Sequence, residues 1–90
     1  MMKSVTPLRR RLDRIDDAII LLLARRLRVV REIGRIKSAA SVIPRDRLRE
    51  REVLARVEAA ARRRHLSPAV VKRLYREVLR SCVALARRTR

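Results

Sequence analysis

A chain of 90 residues with 26 Lys plus Arg against nine Asp plus Glu has a formal net charge of +17 at pH 7, yet 48% of it is apolar. High charge with that much hydrophobicity excludes a disordered chain, and the length allows a single domain, residues 1–90, with a marginal core. One cysteine, one glycine and one aromatic ring leave no disulfide framework, no glycine-rich phosphate loop and almost no surface for stacking bases. Punctuation then predicts three helices. Thr6-Pro7 sets a capping hydroxyl before a proline, and Leu8, Leu12, Ile15, Ile19, Leu22, Val29 or Val30, Ile33 and Ile36 follow at helical spacing to about residue 38. Gly34 is the one weak point of that helix, costing about 1 kcal/mol relative to Ala. A break follows up to Pro44, and Asp46 is the candidate cap of a second helix with Leu48, Val53, Leu54, Val57 and Ala61 on its apolar side. It ends at Arg62-Arg63-Arg64, where positive charge suits the helix C-terminus. Ser67-Pro68 repeats the opening signal for a third helix with Val71, Leu74, Val78, Cys82 and Leu85.

No apolar run reaches the roughly 20 residues of a membrane span, and the N-terminus has no signal-peptide pattern. A cytoplasmic protein without a membrane partner is expected. No Cys/His cluster has metal-ligand spacing, so no metal is expected. His65, beside three arginines, reads as a surface or packing residue.

The first helix is too long for its host. About 31 residues at 1.5 Å each make a rod of roughly 45 Å, whereas a compact chain of this length has a radius of gyration near 12 Å. A second copy has to cover the rest of the stripe, which predicts a homodimer with two-fold symmetry and antiparallel long helices. The alternative is an extended monomeric coiled-coil arm, for which the stripe repeats too briefly.

Several arginines have acidic neighbours at helical spacing: Arg28 with Glu32, Glu52 with Arg56, Glu58 with Arg62, Arg73 with Glu77. Arg26 differs, because it interrupts the apolar stripe. Lys37 lies eleven residues later and projects from nearly the same face. Inward cations need partners. Either Glu50 and Asp46 of the second helix meet them or an anionic ligand does, and both can hold together. Arg9 sits 17 residues before Arg26, roughly 25 Å along one helix, too far to share a small ligand within a chain. An antiparallel partner brings Arg9 of one chain towards Arg26 and Lys37 of the other, giving two sites built from both chains.

The ordered set Leu8-Arg9, Leu12, Ile15-Asp16, Leu22-Leu23-Ala24-Arg25-Arg26, Ile33-Gly34-Arg35-Ile36-Lys37, Arg45-Asp46 and Arg49-Glu50-Arg51-Glu52 resembles the all-helical chorismate mutases. The resemblance runs without a gap from about Leu8 to Leu85. It implies an all-α fold of three helices, an intertwined antiparallel homodimer, and the rearrangement of chorismate to prephenate in phenylalanine and tyrosine biosynthesis, with no cofactor. By the same resemblance Arg26 and Arg9 of the partner subunit bind the two carboxylates, and Lys37 hydrogen-bonds the ether oxygen. Glu50 takes the substrate hydroxyl with help from Asp46, and Arg49 organises that corner. Asp46 reads equally well as an ordinary helix cap, and Arg49 reads also as a solvated charge. Cys82 stands where the family usually has Ser, and Ala86 stands where it has Gln or Glu as a second donor to the ether oxygen. That loss opens two alternatives on the same fold, an isochorismate pyruvate-lyase or an aminodeoxychorismate mutase.

Two readings from other classes compete. The net charge suits non-specific nucleic-acid binding, but the basic residues spread over all three helices and no short helix-turn-helix spacing occurs. A non-catalytic helical dimer, or a regulatory module cut from a larger aromatic-pathway enzyme, is the other. For the enzyme, the positive charge raises the local concentration of a dianionic substrate.

Overall fold

Three side-chain oxygens start the three helices in a computed structural model of the protein, which describes residues 4–37 and 46–88 and, for Lys37, the backbone alone. Helix α1 spans Thr6–Lys37, α2 Arg47–Arg63 and α3 Pro68–Arg88, with no strand among the described residues. Asp46 Oδ1 accepts from the Arg49 N–H at 2.9 Å, and Ser67 Oγ from the Val70 N–H at 3.3 Å, as the two later caps predicted from sequence. At α1 the oxygen comes from Ser4, which accepts from the Thr6 N–H at 3.2 Å. Thr6 is not the cap because the Val5 carbonyl already accepts from the Arg9 N–H at 3.0 Å, which puts Thr6 inside the helix.

The end of α2 is closed by backbone geometry. His65 has φ of 59°, its N–H donates to the Arg62 carbonyl at 3.2 Å, and the Leu66 N–H donates to the Ala61 carbonyl at 2.9 Å. This is a Schellman closure with a histidine at the left-handed position that glycine usually fills. His65 therefore has a backbone role that its surroundings in sequence did not reveal.

Helix α3 packs against both α2 and α1, while α1 and α2 do not pack on each other. The interior consists of Val53 and Ala61 from α2 with Leu79, Cys82 and Ala86 from α3. Gly34 is the buried residue of α1 among those described, and its missing side chain suits a close approach. Two residues expected in the core of α3 are outside it: Leu74 is 63% exposed and Leu85 43%. The inward row runs through Tyr75, Leu79, Cys82 and Ala86 instead, because α3 is turned to serve two neighbours. Leu48 of α2 is likewise exposed. Two expected ion pairs are also redirected. Glu58 meets Lys72 across the α2–α3 contact at 3.4 Å, and Glu77 pairs with Arg80 along α3.

The first two-thirds of α1 has no cover. Leu8, Leu12, Ile15, Ile19 and Leu22 are all between 49% and 59% exposed. The molecule measures 64 × 27 × 14 Å, and its radius of gyration of 16.8 Å exceeds the roughly 12 Å of a compact chain of this length. Its accessible surface of 7878 Å² compares with roughly 5,500 Å² for a folded monomer of this mass. No helix is long and apolar enough to cross a membrane among the described residues.

Candidate active site

Because α1 and α2 each pack on α3 rather than on each other among the described residues, a space remains between them. It is a cavity of about 470 Å³, within the usual range for small-molecule sites. The apolar wall comes from Val29, Val30 and Ile33 of α1, Val53 of α2, and Leu79 and Val83 of α3, with Gly34 beside them. On α1 these positions and Arg26 form one helical face. On α2 the face is Asp46, Arg49, Glu50, Val53 and Arg56, again at spacings of three and four.

Four of the residues singled out from sequence thus border one cavity: Arg26 from α1, and Asp46, Arg49 and Glu50 from the start of α2. Arg26 and Glu50 are half-buried, and Arg49 and Asp46 are exposed at the rim. The two readings of Asp46, helix cap and pocket residue, hold together, since one carboxylate caps α2 and borders the cavity. Arg49 likewise borders the cavity while remaining accessible. The Lys37 side chain lies outside the described residues. Arg9 is exposed on the uncovered part of α1 and does not line the cavity of its own chain.

Cys82 and Ala86 are not on the wall. Ala86 continues the Leu79–Val83 row by one turn, but it is 0% exposed and Cys82 is 5% exposed. Their short side chains are covered where helices pack, so the cavity stops at Val83.

Two residues that the sequence reading left aside stand at the site. Arg56, expected to pair with Glu52, lines the cavity, and no ion pair joins those two among the described residues. Its position seven residues after Arg49 was the available signal. Tyr75 is half-buried on α3, and the Arg26 Cζ lies 5.9 Å from its ring centroid. The described wall therefore sets three guanidinium groups against two carboxylates in mostly apolar surroundings. Such a site favours an anion that also presents a hydroxyl or other donor to the carboxylates.

Comparison with known proteins bears on that chemistry. The family described as chorismate mutase type II matches residues 8–87. A bifunctional chorismate mutase/prephenate dehydratase of Aquifex aeolicus (strain VF5) is 29% identical over 90 residues, covering 97% of this chain and 25% of its own length. The chain thus spans about a quarter of that relative. No solved structure matches the chain.

Proposed function

The chain belongs to the chorismate mutase type II family, and on that premise we propose that it rearranges chorismate to prephenate, as a cytoplasmic homodimer with two composite sites. The observation that carries the reading is the convergence of Arg26, Arg49, Asp46 and Glu50, with Arg56 beside them, on one small and mostly apolar cavity. In the reaction the ether carbon–oxygen bond breaks as a carbon–carbon bond forms in the same molecule, so nothing is added or released. Holding the enolpyruvyl arm over the ring and stabilising charge on the ether oxygen are what a protein can contribute.

In this reading Arg26 and Arg9 of the partner subunit clamp the two carboxylates as forked donors. Glu50 accepts from the ring hydroxyl, Asp46 shapes the same corner and Arg49 balances its charge. Lys37 serves the ether oxygen. Ala86 supplies no donor there, which leaves more of that contact to Lys37. The valines, Ile33 and Leu79 exclude water and so strengthen each of these contacts.

Support for two chains comes from the uncovered stripe of Leu8, Leu12, Ile15, Ile19 and Leu22 and from the excess of accessible surface. The distance of Arg9 from the cavity of its own chain adds to it. The decisive experiment follows chorismate absorbance on addition of purified protein, with isochorismate and the amino analogue in parallel. Loss of chorismate with formation of prephenate is expected. Pyruvate release from isochorismate with chorismate untouched would transfer the site to the lyase reaction. No turnover of any of the three would leave a non-catalytic member of the family.

A further inference from the structure

Arg26 leaves α1 beside α3, and the group it meets there is the face of Tyr75, with Cζ 5.9 Å from the ring centroid. That distance lies inside the range of a cation–π contact. Tyr75 is the only aromatic residue in the chain, and it sits four residues before Leu79 of the cavity wall. Among the described residues no carboxylate forms an ion pair with Arg26.

This choice of partner has a chemical consequence. A carboxylate holding Arg26 would neutralise it and occupy the N–H fork that a substrate carboxylate needs. An aromatic face attracts the guanidinium through its ring quadrupole and leaves those in-plane donors free. A long side chain held before the ligand arrives also has less rotamer freedom to lose on binding. We infer that Tyr75 is a positioning residue that pre-orients the Arg26 guanidinium for an anionic ligand. The inference rests on the cavity being the substrate site, and it assigns the role to the ring face rather than to the hydroxyl.

The test compares full-length wild type with Tyr75→Phe, which keeps the face, and with Tyr75→Leu and Tyr75→Met, which keep apolar bulk without it. The first readout is the ¹⁵N-edited NMR signal of the Arg26 Nε–H, with no substrate present. In wild type and Tyr75→Phe it should be ordered and shifted upfield by the ring; in the Leu and Met variants it should be mobile and return to the position of a free arginine. The second readout is kinetic. Tyr75→Leu and Tyr75→Met should raise KM for chorismate by about three- to tenfold with kcat within about twofold, and Tyr75→Phe should stay within about twofold of wild type.

A folded Leu or Met variant with an unmoved Arg26 signal and unchanged KM overturns the inference. So does Tyr75→Phe behaving like Tyr75→Leu, which would give the role to the hydroxyl. A wild type that leaves chorismate untouched defeats the functional reading instead, while the Arg26 signal still reads the tether directly.

Discussion

The Asp46 carboxylate accepts a hydrogen bond from the backbone N–H of Arg49 at 2.9 Å, and the side chains of both residues border the same cavity. The cap that starts α2 therefore also sets where its cavity-facing row begins. Separating the two roles takes two substitutions. Asp46→Asn keeps an oxygen for the cap and removes the charge, so the melting temperature should hold while KM or kcat changes. Asp46→Ala loses both, and about 1 kcal/mol of stability should go with the cap. Equal turnover in wild type and Asp46→Asn would confine Asp46 to capping.

A composite site makes dead chains complement one another. Arg9→Ala and Arg26→Ala should each be nearly inactive. In a mixed dimer one site has both arginines intact and the other loses both. Random re-pairing makes about half the dimers mixed, so activity should recover to about a quarter of wild type. Sedimentation should show a dimer at micromolar concentration. Verified chain exchange without recovery would remove Arg9 from the neighbouring site.

Ala86 is the position where a second donor to the ether oxygen is expected from the family pattern, yet its methyl is 0% exposed. Glutamine there must displace packed neighbours. Ala86→Gln should lower stability by about 1–3 kcal/mol without a gain in kcat. Melting temperature and turnover measured together decide the matter, since a rise in kcat in a folded variant would put residue 86 on the cavity. Lys37→Ala, by contrast, should abolish most turnover without a comparable loss of stability.

His65 occupies a left-handed backbone position with φ of 59° at the end of α2. Any residue with a Cβ is strained there, and glycine is not. His65→Gly should stabilise the protein by about 1 kcal/mol, a rise of about 4–8 °C for a domain of this size. Thermal unfolding with an unchanged or lower midpoint would show that the imidazole makes up the strain in some other way.

Hydrogen bonds from Arg80 and Ser81, with the nearby Arg80 charge, hold the Glu77 carboxyl below the usual carboxylate range. Its folded value lies below its unfolded value, so the stabilisation is present above the ordinary carboxylate range and is lost as pH falls through the lowered value. Glu77 is exposed, and solvent screening keeps the effect small. Denaturant midpoints taken on the acid side should fall less steeply for Glu77→Gln than for wild type. Parallel curves would show that the pair adds nothing in solution.

Much of this was legible in sequence because it is local. Helix spacing, the Asp46 and Ser67 caps, the excessive length of α1 and the oddity of Arg26 in an apolar stripe depend on residues within a few turns of one another. Even the grouping of Asp46, Arg49 and Glu50 follows from the period of one helix. Tertiary structure alone decided the rest, because it depends on how far α3 is rotated between its two neighbours. That rotation turned Leu74 outward and Ala86 into the interior, and it set Tyr75 under Arg26. A difference of one residue along a helix is a turn of about 100°, enough to exchange wall, core and solvent. Nothing in the spacing of α3 itself fixes that angle, since its apolar residues occupy more than one face and the choice among them is made by the partners it packs against.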